Sequence, residues 1–175
     1  MARTYPYIGP ADIREAARSQ PRGTPIRSLG DLANWLGTAR GDGLTATFVV
    51  SLAGDLLLAP RQSEHVAAAG GEPVRSAGEM TFDPDGTVTA VTNQSTGYGP
   101  EPDSWPEVAS ALDRIGALRP SAFTEAFDFR RCTSCGSVNL VKDGWLVCAV
   151  CDQNLPKIWN LASVDQMDAG DIGAH

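Results

Sequence analysis

The spacing of apolar residues changes character along the chain. In residues 1–40, Ile13, Ala16 and Ala17 follow Pro10, which suits a first helical position, and Leu32, Trp35 and Leu36 follow Ser28, a residue able to cap a helix. Two short packing helices are predicted there, closed by Gly41-Asp42-Gly43. From Thr45 to Thr92 the pattern is that of strands. Thr47–Ser51 and Leu56–Ala59 flank an Ala53-Gly54-Asp55 turn, and Gly78–Phe82 joins Thr87–Val91 through Asp83-Pro84-Asp85-Gly86, so two hairpins are expected. Within the second hairpin Met80 and Phe82 share one face and Glu79 points to the other.

Asn93–Pro100 is too rich in turn residues to continue a strand. Ser104-Trp105-Pro106-Glu107 then reads as a capping box, and Val108, Ala111, Leu112 and Ile115 repeat at helical spacing until Gly116. Phe123 to Phe129 reads as a strand, and the acidic stretch with Asp165, Asp168 and Asp171 reads as a frayed tail. The expected class is α+β: a small, mostly antiparallel β domain with flanking short helices over residues 1–129, a second module at 130–160, and a flexible tail at 161–175.

The second module is defined by Cys132, Cys135, Cys148 and Cys151, the only cysteines in the chain. Two Cys-x-x-Cys pairs can turn four thiolates toward one point, with Val141–Trp145 as two short strands around an Asp-Gly turn, which predicts a zinc ribbon. Gly136, directly after a cysteine pair, suits the tight turn of a knuckle. Iron in a rubredoxin-like centre and a pair of disulfides are the rival readings. Four protein thiolates leave a metal no open position, so the expected role is structural.

Charge and composition then narrow the class. The chain carries a net charge of −7 with 42% hydrophobic residues, and within the ribbon Arg130, Arg131, Lys142 and Lys157 are opposed by Asp143, Asp152 and the thiolates. No basic stripe results, so nucleic acid is not the expected partner, and Trp145 and Trp159 are read as core rather than as base-stacking platforms. Without a membrane-length apolar run or a signal-peptide pattern, a cytoplasmic location is expected.

His65 to Glu79 followed by Asn93 to Pro100 resembles a module with the pattern His, Ala-Gly-Glu, then Asn-x-Ser-Gly-His-Tyr-x-Pro. That module is found in bacterial polymorphic-toxin and effector proteins and in plant IQ-motif calmodulin-binding proteins. The resemblance covers roughly residues 45–117 and picks out His65, Glu79, Asn93, Ser95 and Tyr98. It departs at Thr96-Gly97, where the pattern has Gly-His, so a histidine beside Tyr98 is missing. The resemblance implies a site without specifying a reaction.

Two functions follow as expectations. The first is a binding, adaptor or regulatory protein of a toxin, immunity or stress system, taking a protein partner or small ligand at a pocket around His65, Glu79 and Tyr98, with Asn93, Ser95, Thr96 and Gly97 contributing to binding. The second is a small enzyme, a nucleotide- or NAD-linked transferase or a hydrolase, using His65, Glu79 and Tyr98. No Gly-x-Ser-x-Gly elbow or glycine-rich dinucleotide fingerprint supports the second.

Overall fold

A computed structural model describes residues 3–38 and 44–161. Gly41-Asp42-Gly43 and the aspartates of the tail lie outside the described residues. The elements are α1 (Ala11–Ala17), β1 (Thr24–Ile26), α2 (Leu29–Thr38), β2 (Thr45–Val50), β3 (Leu56–Pro60), α3 (His65–Ala68), β4 (Ser76–Phe82) and β5 (Val88–Val91). A 3-10 turn (Pro102–Ser104) leads into α4 (Trp105–Ile115), and β6 (Asp128–Arg131) and β7 (Val138–Val141) follow. The class is α+β, as expected. Among the described residues no helix is long and apolar enough to cross a membrane.

Five antiparallel strands form one sheet in the order β1-β3-β2-β4-β5. Phe48-Val49-Val50 and Leu56-Leu57-Leu58 are continuous apolar runs because this sheet is covered on both faces. On one face Phe48, Val50, Leu56, Leu58, Met80 and Phe82 pack with Leu32 and Trp35 of α2 and with Val108, Ala111, Leu112 and Ile115 of α4. On the other, Val49, Leu57, Ala59 and Ala77 meet Tyr5, Ala17, Val66 and Tyr98. Glu79 lies opposite to Met80 and Phe82, as the period of two requires, and is half-buried.

Several local expectations are corrected by tertiary contacts. Pro10 is the cap of α1 and not its first residue, with φ −60° and an extended ψ of 140°. Ile13 stays exposed, and Ala17 alone of the predicted stripe is buried. Ser28 does cap α2, its hydroxyl accepting the Asp31 N–H at 3.0 Å. The capping box at α4 does not form. The preceding 3-10 turn already puts Ser104 in a helical conformation, its hydroxyl bonds the Ser76 hydroxyl at 2.8 Å, and Glu107 instead pairs with Arg75 at 3.2 Å. Gly116 ends the helix at φ 85°, its N–H bonded to the carbonyls of Leu112 and Asp113.

The ribbon also differs in detail. Asp143 and Gly144 form the expected turn with φ values of 56° and 71°. The partner of β7, however, is β6, which precedes the first cysteine pair, and not the chain beyond the turn. Residues 146–155 make their own small hairpin, with Leu155 N–H on the Leu146 carbonyl at 2.9 Å and a bridge between Val147 and Asn154. Phe123–Phe127 runs irregularly beside β5, leaving Asp128–Arg131 as the only regular strand in the stretch expected as one. The start of the expected tail is likewise part of the fold, since Leu161 is fully buried with Phe127 and Phe129.

The ribbon is tied to the sheet domain by polar contacts at β6. The guanidinium of Arg130, 6% exposed, reaches Glu101 at 3.3 Å and donates to the carbonyls of Phe129 at 2.7 Å and Lys157 at 3.1 Å. Glu101 also binds Arg3 at 2.8 Å, and Arg3 lies 4.3 Å from the Trp159 ring centroid. Removing the carboxylate leaves Arg130 a buried cation without its counter-charge. Glu101→Ala is therefore expected to cost about 3 kcal/mol in urea unfolding, while Arg3→Ala, at a more exposed pair, costs about 1 kcal/mol or less.

Candidate functional site

The four cysteines converge. Cys132 and Cys135 flank one knuckle, Cys148 and Cys151 the other, and all four sulfurs lie within 4.8 Å of one another. Cys132 Sγ is 3.5 Å from Cys151 and Cys135 Sγ is 3.6 Å from Cys148. Metal–sulfur bonds of about 2.3 Å in a tetrahedron space the sulfurs about 3.8 Å apart, so the donor set fits one ion.

The two knuckles are built alike. Cys132 N–H bonds the Ser137 carbonyl and Cys148 N–H bonds the Gln153 carbonyl, both at 2.8 Å. Gly136 N–H bonds the Cys132 carbonyl at 2.9 Å, and Asp152 N–H bonds the Cys148 carbonyl at 3.0 Å. Each knuckle needs a left-handed residue directly after its second cysteine, supplied by Gly136 at φ 78° and by Asp152 at φ 63°. The second of these carries no glycine and therefore no sequence signal.

Groups around Cys132 and Cys148 favour their thiolates. The backbone amides of Cys135 and Ser134 lower the Cys132 pKa. The Ser137 hydroxyl, then the amides of Cys151 and Val150 and the Asn139 side chain, bring Cys148 down to about 5 against the opposing effect of burial. Cys151 is drawn down by the Gln153 amide but raised more by burial and the other three sulfurs, and ends at about 12. Thiolates this close to further sulfurs call for a cation, and the four sulfurs are placed where a metal ion could supply it. Asn139 completes the surround, donating to Cys148 Sγ at 3.5 Å and accepting the Ala149 N–H at 2.9 Å. Sequence reasoning missed Ser137 and Asn139, which come to the Cys148 sulfur only when the second cysteine pair folds against them.

The upstream candidates are bonded elsewhere. His65 opens α3, and its Nε2 donates to the Gly78 carbonyl at 2.9 Å. Burial lowers its pKa, with the Gly78 bond and the charges of Glu64 and Glu79 opposing. Glu79 Oε1 lies 3.8 Å from Arg61 Nε. The Tyr98 hydroxyl donates to the Glu72 carbonyl at 2.8 Å, and burial, followed by Tyr7 and Glu72, raises its pKa. No hydrogen bond of these three side chains joins one to another. A cavity of about 250 Å³ is lined by Arg22, Val49, Leu57, Glu72 and Val74 among others, but by none of the three.

Asn93 is fully buried. Its amide donates to the carbonyls of Pro100 at 2.8 Å and Phe127 at 2.7 Å, and its oxygen accepts the Phe127 N–H at 2.8 Å. Ser95 is also buried, its hydroxyl without a partner among the described residues, while its carbonyl receives the Gly99 N–H at 2.7 Å. Thr96 is exposed, and Gly97 passes its carbonyl to the Ile8 N–H at 2.9 Å. A Cβ on Gly97 would stand 3.0 Å from the Tyr7 ring.

The placement of these residues along the chain has a packing explanation. The carbonyl that receives His65 belongs to Gly78, and a Cβ at Gly78 would collide with the Thr92 carbonyl and come within 3.0 Å of Asn93 Cα. His65, Gly78 and Asn93 thus meet as one packed unit across β4 and the end of β5.

Trp145 and Trp159 divide. Trp159 is partly buried against Tyr5 and donates from its indole to the Gly99 carbonyl at 2.7 Å. Trp145 is not core: it is 72% exposed, because the chain past the turn does not fold back as a strand. Compared with protein-family models, curated proteins and solved structures, the chain matches none.

Two outcomes test this geometry. A chelator that removes the metal is expected to abolish amide-exchange protection in residues 130–160 while β2, β3 and β4 keep theirs; uniform loss would contradict a separately braced ribbon. For His65, the folded pKa lies below the unfolded value of about 6.5, so its neutral form stabilises the fold above that pH and the benefit falls as pH drops through it. The stability advantage of wild type over His65→Gln, from urea unfolding, should therefore shrink between pH 7.5 and pH 5.5.

Proposed function

We propose that this protein is a non-catalytic binding or adaptor protein whose C-terminal ribbon, braced by structural zinc, presents the docking surface. The observation that carries this reading is where large apolar side chains meet solvent. Val138, Leu140, Trp145, Val150 and Ile158 are exposed in the ribbon, the last three at 72%, 72% and 79%. A module this small that leaves such residues in water, yet is held rigid by a metal, suits recognition.

Zinc is favoured over iron because four thiolates in a closed shell suit an ion with no redox duty, and reduced thiolates suit a cytosolic location. Nucleic acid is a poor partner for this face, since Arg130 is engaged by Glu101 and Lys142 by Glu125 at 3.0 Å. The likeness of His65–Pro100 to toxin and effector modules supports a place in a toxin, immunity or stress system. The hydrogen bonds of His65 and Tyr98 to main-chain carbonyls weigh against an enzyme built on them.

A photo-crosslinking residue at position 150 should capture a defined partner in cells, and the same residue at exposed Thr89 should not. Trp145→Ser combined with Ile158→Asp should abolish capture while metal content and unfolding midpoint stay unchanged. Equal capture by the variant would contradict the reading, as would turnover of NAD, a nucleotide or an ester that His65→Ala abolishes without unfolding the chain.

A further inference from the structure

The two edges of the ribbon sheet are treated differently. Cys132 N–H bonds the Ser137 carbonyl, which makes that pair hydrogen-bonded and sets the alternation of the antiparallel ladder. Arg130 and Asn139 then exchange bonds, whereas Arg131 opposite Val138, and Phe129 opposite Leu140, turn their backbone groups outward. On β6 three of those four outward groups are occupied, the Phe129 N–H being the exception. Asn160 accepts the Arg131 N–H and donates to its carbonyl, both at 2.8 Å, and Arg130 donates to the Phe129 carbonyl at 2.7 Å. A side-chain amide and a guanidinium cover most of that edge.

On β7 nothing comparable happens. No described group bonds the N–H or carbonyl of Val138 or Leu140. Their side chains, 37% and 38% exposed, share one face of the strand, while Asn139 and Val141 point inward. An edge with outward donors and acceptors at alternate residues, no proline, and no charged side chain within the strand is open to pairing. Lys142, the nearest charge beyond it, is paired with Glu125.

Resting on the reading of the ribbon as a docking module, we propose that β7 receives its partner by strand addition, as an extended, neutral-to-basic peptide segment with apolar side chains at alternate positions. Outward N–H and carbonyl groups in strand register are matched by another extended backbone, and Val138 and Leu140 offer apolar contact at every second position. Charge argues against a second copy of the chain. Two molecules of net charge −7 repel, whereas a neutral or basic segment does not.

The probe is an acetylated and amidated Lys-Val-Thr-Val-Lys-Val-Thr peptide, titrated into the full metal-loaded chain and followed by amide shifts in nitrogen-15 spectra. The largest shifts are expected at Val138–Val141. A twin peptide N-methylated at alternate residues should bind about tenfold more weakly or worse, because it loses backbone donors while keeping its side chains. Leu140→Pro removes an outward N–H that does not serve the β6 ladder and should weaken binding similarly. Should that variant fail to hold metal, Leu140→Lys, which places a charge on the edge, takes its place with the same expectation.

Equal binding of the two peptides, shifts centred elsewhere, or sedimentation showing a dimer that Leu140→Lys dissolves would each overturn the proposal. So would the absence of peptide binding. If the peptide fails while Trp145→Ser with Ile158→Asp still loses the crosslinked partner, strand addition is wrong and the docking role stands. If the crosslinked partner is also retained, the docking role fails with it.

Discussion

The carboxamide of Asn93 is the contact on which the joining of the sheet domain to the ribbon depends. It sits at the end of β5 without solvent access and holds both the turn at Pro100 and the chain at Phe127, just before β6. A buried amide has four hydrogen-bonding positions to satisfy, and three are met here by main chain that has no strand partner of its own. Removing it would strand those carbonyls and the Phe127 N–H in an apolar interior, a loss of about 1–3 kcal/mol for each group left unpaired. Arg130 performs a parallel task one strand further on, gathering Glu101 and the Phe129 and Lys157 carbonyls.

This economy explains why the segment from His65 to Pro100 carries so many polar and small residues without bringing His65, Glu79 and Tyr98 together in one pocket. The five-stranded sheet is covered on both faces, so the loops that cross it must satisfy their backbone groups internally. His65 serves the Gly78 carbonyl, Tyr98 the Glu72 carbonyl, and Gly78 is small because Thr92 and Asn93 press against it. Histidine, tyrosine, serine and asparagine are the residues of catalytic sites, and they are also those that best terminate stray backbone hydrogen bonds. Only partners in space distinguish the two uses.

The ribbon follows the opposite logic. Its own apolar interior is small, with Cys132, Cys148, Val141 and Leu155 at its centre, and the four clustered cysteines could hold a metal in place of a larger core. Once sulfur ligands hold the fold, apolar side chains such as Trp145, Val150 and Ile158 need not be buried for stability and are left in water. In the proposed reading, a metal brace frees a sheet edge and several hydrophobic residues for contact with another molecule.

The residues themselves determined the α+β class, the antiparallel hairpins and the convergence of the four cysteines, because period-two patterning, turn chemistry and Cys-x-x-Cys spacing are local properties. Ser28, Gly116 and the Asp143-Gly144 turn were legible for the same reason: their roles concern only neighbouring backbone. Tertiary structure alone decided that Ser104 bonds Ser76 in place of capping its helix, that β7 pairs backward with β6, that Trp145 faces solvent, and that Leu161 belongs to the core. It also decided that His65, Glu79 and Tyr98 have separate partners. Each of these outcomes depends on which distant groups compete for a donor, an acceptor or a patch of apolar surface, and that competition exists only once the chain is folded.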